Sequence, residues 1–234
     1  MQLISLSATL LSALVLAGCA VTTSPSADAL HALFVTGGTG ISKDLIPQQP
    51  DPRFTYLRVQ VKGYPPGLLV LGYVEVHPLG PVEVWYSGSQ ETVRLQNGRV
   101  VGSTGTLRGW AGVRYDQPPV DWSAVSPQGA SYVRQHDEMP GYRFGIKERV
   151  QLSTWQGLPP LELPDTLPLA TAQGYQWFRE SATPTDGQDT KALPDAWFAL
   201  GQRGGKPAVV YSEQCLAPDF CLKLQRWPLV EDTK

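Results

Sequence analysis

Gln90-Glu91-Thr92-Val93-Arg94-Leu95-Gln96-Asn97-Gly98-Arg99-Val100-Val101-Gly102 is the stretch on which the reading of this chain turns. Asn97-Gly98 is a two-residue hairpin signal, because a type I′ turn needs positive φ at both central positions, which Gly adopts freely and Asn tolerates. Apolar and β-branched residues fill the arms on either side. The stretch therefore predicts a hairpin, with Gln90 to Gln96 as one strand and Arg99 to Gly102 returning.

Working outward, the same pattern repeats. Phe54 to Val61 alternates, with Leu57, Val59 and Val61 on one side and Arg58, Gln60 and Lys62 on the other. Gly63-Tyr64-Pro65-Pro66-Gly67 turns the chain into an apolar run from Leu68 to His77, and Pro78 to Pro81 turns it again into Val82 to Ser87. Downstream, Leu107 to Tyr115 reads as a strand. Gln117 to Trp122 is a loop with one helical turn after Asp121. Tyr132 to His136 and Tyr142 to Trp155 form a hairpin across Met139-Pro140-Gly141, and in its second arm Phe144, Ile146, Val150 and Leu152 alternate with Lys147, Arg149 and Gln151. Pro159, Pro160, Pro164 and Pro168 forbid a long regular element. Tyr175 to Glu180, Ala196 to Gln202, Pro207 to Glu213 and Leu222 to Trp227 complete ten or eleven expected strands. The fold class is all-β: an antiparallel meander that becomes a closed or partly closed barrel, or stacked sheets, with one or two short N-terminal helices (Ser26 to Phe34, Ile41 to Ile46).

Composition agrees. The 234 residues include 23 Gly and 21 Pro, which suits many short strands joined by turns. The formal net charge of -2 leaves no electrostatic case for nucleic acid or for an anionic membrane surface.

Leu16-Ala17-Gly18-Cys19 closes an apolar run that starts at Leu3 and has the form of a bacterial lipobox. The run is too short to span a membrane, which takes about 20 apolar residues, and it suits a cleaved export signal. No Lys or Arg precedes it; the first basic side chain is Lys43. Residues 1–18 are thus expected to be a lipoprotein signal peptide, 19–40 a lipidated Cys19 with its tether, and 41–234 a single β-rich domain. An Asp after the cysteine commonly retains bacterial lipoproteins at the inner membrane; Ala20 stands there instead, which favours the outer membrane, with the domain on its periplasmic face. Cys215 and Cys221 remain as an even pair in an oxidising compartment and are expected to form a disulfide, contributing about 2–2.5 kcal/mol in the chain-entropy picture.

Catalytic chemistry finds little support. The three histidines are scattered, and His136-Asp137-Glu138 is the one acidic-histidine cluster. It would supply a general base, as the core of a periplasmic hydrolase, but adjacent strand residues point to opposite faces, so the plainer reading is a polar hairpin tip. Gly37-Gly38-Thr39-Gly40 lacks the lysine of a phosphate loop and reads as a hinge. No cofactor and no metal site is expected. The seven tryptophans, Trp85, Trp110, Trp122, Trp155, Trp177, Trp197 and Trp227, are candidates for stacking on sugar rings, against the commoner role of core packing. Only one of Trp85 and Tyr86 can face the core.

Several segments in this order carry a resemblance: Asp44-Leu45-Ile46, Tyr56-Leu57-Arg58-Val59, Leu69-Val70-Leu71-Gly72-Tyr73, Trp85-Tyr86-Ser87, Thr92 to Gly105, and Val210-Tyr211-Ser212-Glu213-Gln214. The chain resembles the YjbF/GfcB lipoproteins of exopolysaccharide and group 4 capsule operons. The Cys215/Cys221 pair and the proline-rich stretch lie outside that pattern. The resemblance implies a β-rich fold, outer-membrane attachment, and a role in polysaccharide secretion or assembly, and it supplies no catalytic residues. The expected protein is therefore a non-enzymatic, outer-membrane-anchored lipoprotein whose partners are polysaccharide-export proteins or the polymer itself. Arg94 and Arg99, flanking the hairpin turn, are candidate contacts to an anionic glycan or a partner, against the plainer reading as two solvated strand residues. The alternative function is a barrel carrying a small apolar ligand or lipid through the periplasm, which requires an empty interior.

Overall fold

The computed structural model describes residues 51–185 and 191–229. The lipobox, the tether and both expected N-terminal helices lie outside the described residues. Twelve strands follow one another: β1 (Tyr56–Val61), β2 (Gly67–Glu75), β3 (Val82–Tyr86), β4 (Thr92–Gln96), β5 (Arg99–Thr104), β6 (Gly109–Tyr115), β7 (Ala130–Met139), β8 (Arg143–Trp155), β9 (Gln176–Pro184), β10 (Ala196–Arg203), β11 (Lys206–Ala217) and β12 (Phe220–Trp227). Among the described residues a single 3₁₀ turn covers Trp122–Ala124, capped by the Asp121 carboxylate, and one short helix, α1, spans Leu169–Gln173.

All pairings are antiparallel and join sequence neighbours, except that β1 pairs with β12, Leu57 opposite Arg226. The result is a nearly closed up-and-down barrel whose hydrogen-bonded ladder breaks once, between β5 and β6. The two seam strands still lie side by side. A Cβ placed on Gly109 would stand 2.5 Å from Ser103 Oγ, so the missing side chain is what lets them approach.

Alternation sets the faces, as expected for strands with one buried side. Leu57, Leu69, Trp85, Val93, Leu95, Leu222 and Leu224 fill one interior layer, together with Trp110, Leu216 and Phe220. Trp122, Leu152, Phe178, Phe198, Leu200 and Val209 fill another. The proline-rich segment does not leave the molecule. It lies against the outer face of β9–β11, where Leu167 and Ala172 of α1 and its approach pack on Trp177, Ala199, Val210 and Tyr211. Central strands thus end up covered on both sides, and consecutive residues are buried at Trp177-Phe178, Trp197 to Leu200 and Val209 to Tyr211.

The Asn97-Gly98 hairpin forms with both residues at positive φ, 48° and 80°. Its tip is not solvated all round. A Cβ on Gly98 would meet Val209 Cβ at 2.5 Å. From across the barrel, the Gln214 side chain donates to the Gly98 carbonyl at 2.8 Å and accepts from the Val100 N–H at 2.9 Å. One amide side chain thereby does for β5 what a neighbouring strand would do. Arg99 to Ser103 are buried without a break.

Two details depart from the alternation reading. Phe144 is exposed rather than sharing the face of Ile146, because Gly145 at φ 72° shifts the strand between them. The interior position on that arm is taken by Glu148, which is wholly buried. Cys215 and Cys221 face each other across the β11–β12 turn and are bonded.

Candidate functional site

The barrel interior holds two ion pairs. Arg99, 4% exposed, donates through Nε to Glu180 at 2.8 Å and lies 3.8 Å from the centre of the Trp122 ring. Arg134 donates through Nε to Glu148 at 2.7 Å and lies over Trp110. His136, 1% exposed, stacks on Trp110 with ring centres 4.4 Å apart and stands 3.4 Å from both Glu148 and Glu138. Burial by itself would raise the Glu148 pKa; His136 and the Arg134 charge more than reverse this and hold it at about 2. Burial lowers the Arg99 and Arg134 values, and the facing carboxylates raise them beyond it. Burial pushes Tyr115 up to about 12 and Tyr132 well above its ordinary value. The two arginines and two glutamates balance, so the cluster is a buried, charge-compensated network rather than a site open to ligand.

Arg99 therefore does not sit where a glycan or partner can reach it, and it is not a solvated strand residue either. The hairpin turns it inward. Arg94 remains at the surface, with 36% of its side chain exposed, and pairs with Glu75 at 2.6 Å. His136 is not at a hairpin tip, and the hydrolase pairing does not form. Asp137 points outward, where the Gly145 N–H at 2.7 Å and then Arg114 hold its pKa below the ordinary carboxylate range. Among the described residues no three His, Cys, Asp or Glu side chains are placed to hold a metal ion. Five tryptophans are buried; Trp155 and Trp227 are half-buried. Trp85 faces inward and its neighbour Tyr86 outward, packed near Tyr73.

The interior gaps beside Val209 and beside Trp110 are about 10 Å³ each, room for one water at most. A carrier barrel needs an empty lumen, and among the described residues this lumen is filled by side chains.

The large concavity lies elsewhere. A cleft of about 940 Å³ opens at the barrel end where β10 passes into β11, bounded by the start of β9, the end of β12 and α1. Tyr175, Gln202, Arg203, Arg226 and Trp227 line it, with Thr171 on the α1 side. Arg226 donates to Glu83 at 2.5 Å and lies over Trp85. Arg203 has no such carboxylate among the described residues; burial first, then the neighbouring Arg226, lowers its pKa, against the pull of Glu83. The sequence reading missed this cleft because Arg203-Gly204-Gly205-Lys206 carries only a turn signal. The one hint was Arg226-Trp227-Pro228, a cation and a large ring at a strand end.

No described helix is long and apolar enough to cross a membrane, which says nothing about strands. A family model described as group 4 capsule polysaccharide lipoprotein GfcB, YjbF matches residues 27–167, more than half of the chain. No curated protein matches the sequence. Among solved structures, the chain is similar to the crystal structure of the hypothetical lipoprotein YmcC from Escherichia coli (K12), with 17% identity and a TM-score of 0.61 over 89% of this chain and 97% of that one. That likeness is one of fold.

Proposed function

Because the chain belongs to the YjbF/GfcB family of group 4 capsule polysaccharide lipoproteins, we propose that it is an outer-membrane-anchored, non-catalytic accessory of exopolysaccharide or capsule secretion and assembly. The family match is the observation that carries this reading. In it, Cys19 bears the lipid, residues 19–40 are the tether, and the barrel works on the periplasmic face, on export proteins or on the polymer. A family of capsule lipoproteins suits membrane attachment, and the interior network speaks against a chemical role for its own groups, since they are paired and withdrawn from solvent. Anchoring by acyl chains follows from burial of about 0.8 kcal/mol per CH₂, so two or more chains hold the protein permanently.

The test is secreted polymer in a deletion strain complemented by wild type or by Cys19→Ser. Polymer is expected to fall on deletion and to return with the wild type alone. Unchanged polymer on deletion defeats the export role, and full rescue by Cys19→Ser defeats its dependence on the anchor.

A further inference from the structure

We propose that the cleft between α1 and the β10–β11 turn binds an acidic saccharide, with a sugar carboxylate on Arg203 and a sugar ring against Trp227. The proposal rests on the capsule reading for the origin of such a ligand, while its geometry stands apart from that reading. At about 940 Å³ the cleft lies within the ~300–1,000 Å³ range of small-ligand sites. Among the described residues no Asp or Glu lines it.

Arg203 is the decisive residue. Three other arginines withdrawn from water meet a carboxylate of this chain: Arg99 on Glu180, Arg134 on Glu148 and Arg226 on Glu83; Arg58, held by the Gln60 amide at 3.2 Å with its Nε unpartnered, lies outside the cleft. Arg203 is half-buried beside a second guanidinium and has no counter-ion among the described residues. A cation held so is disfavoured by lost hydration and by like charge, and an incoming anion relieves both. A guanidinium also presents two parallel donors, which match a carboxylate.

The rest of the wall selects for a sugar. Trp227 packs on Tyr56, Leu68 and Val70 and lends its remaining surface to the cleft. A half-buried ring with an apolar face suits the C–H face of a pyranose. Gln202 and Thr171 offer amide and hydroxyl partners for sugar hydroxyls. Inorganic phosphate would use the guanidinium and leave the aromatic wall idle; a neutral glycan would leave the guanidinium unmatched.

The experiment is calorimetric titration of the full-length protein in detergent with trigalacturonate, and with the same trisaccharide methyl-esterified. Trigalacturonate is expected to bind saturably, at least tenfold more tightly than the ester, and to weaken as salt is added. Arg203→Ala is expected to lose at least tenfold, Arg203→Lys to lose less than the alanine variant because it keeps the charge without the fork, and Arg94→Ala to change nothing. Absent binding, equal binding of the ester, or an unaffected Arg203→Ala overturns the site. Failure of the site and failure of the capsule role separate cleanly. Loss of polymer on deletion without trigalacturonate binding removes the site and keeps the role. Arg203-dependent binding with unchanged polymer keeps the site and removes the role.

Discussion

Arg99 and Arg203 place the same guanidinium in one barrel and meet opposite surroundings. Arg99 is sealed among Glu180, Trp122 and Tyr132, so its charge is cancelled within a few ångströms and serves packing. Arg203 opens onto a cleft that, among the described residues, has no carboxylate of its own. The lesson is that charge alone does not mark a binding residue in a β-barrel. What marks it is the missing partner: a compensated cation belongs to the structure, and an uncompensated one in a concavity awaits something from outside.

The contrast can be broken from either side. The largest effect is expected at Arg99→Ala, which leaves the Glu180 carboxylate buried and unpaired and should cost about 3–5 kcal/mol in urea unfolding. The double change Arg99→Met with Glu180→Leu should recover most of that loss, because a buried pair replaced by apolar groups of similar size is close to neutral. If the single and double variants are equally unstable, the pair is not what Arg99 contributes.

Glu148 comes next. Its folded pKa of about 2 lies below the ordinary 4.5, so its contribution is complete above about pH 4.5 and is lost as pH falls toward 2. The shift corresponds to about 3 kcal/mol at most. Unfolding measured from pH 6 down to pH 2 should show this slope in the wild type and a flatter one in Glu148→Gln; parallel curves would refute the assignment. The smallest effect is expected at Arg203→Ala, whose stability should stay within about 0.5 kcal/mol of wild type, as for a residue that fills no core and completes no pair.

The fold was largely legible in the residues. Asn97-Gly98, the alternation in Phe54 to Val61, and the turn residues at Gly63, Pro78, Met139 and Gly204 are local signals, and local signals placed nearly every strand. What resisted were facts of long range. Arg99 looks solvated until Gln214, 114 positions beyond Val100, draws the hairpin inward. Glu148 looks like one more polar strand residue until Arg134 and His136 are found opposite it. The proline-rich segment announces irregularity but not that it will cover β9–β11. The cleft was the least legible, since Tyr175 comes from the connection between α1 and β9, Arg203 from the end of β10 and Trp227 from the end of β12, and they share no spacing that a sequence pattern can express.

The pairing of β1 with β12 has a consequence in time. A chain emerges from its N-terminus, so the first strand waits for the last before its free edge is satisfied, and β5 waits for Gln214. Through most of its delivery the protein is an open ribbon with a bare edge, the condition in which strands recruit other chains. Closure comes in a final stroke, when residues 206–227 arrive and supply both the missing neighbour and the missing amide. The barrel therefore cannot close before β12 is available to β1.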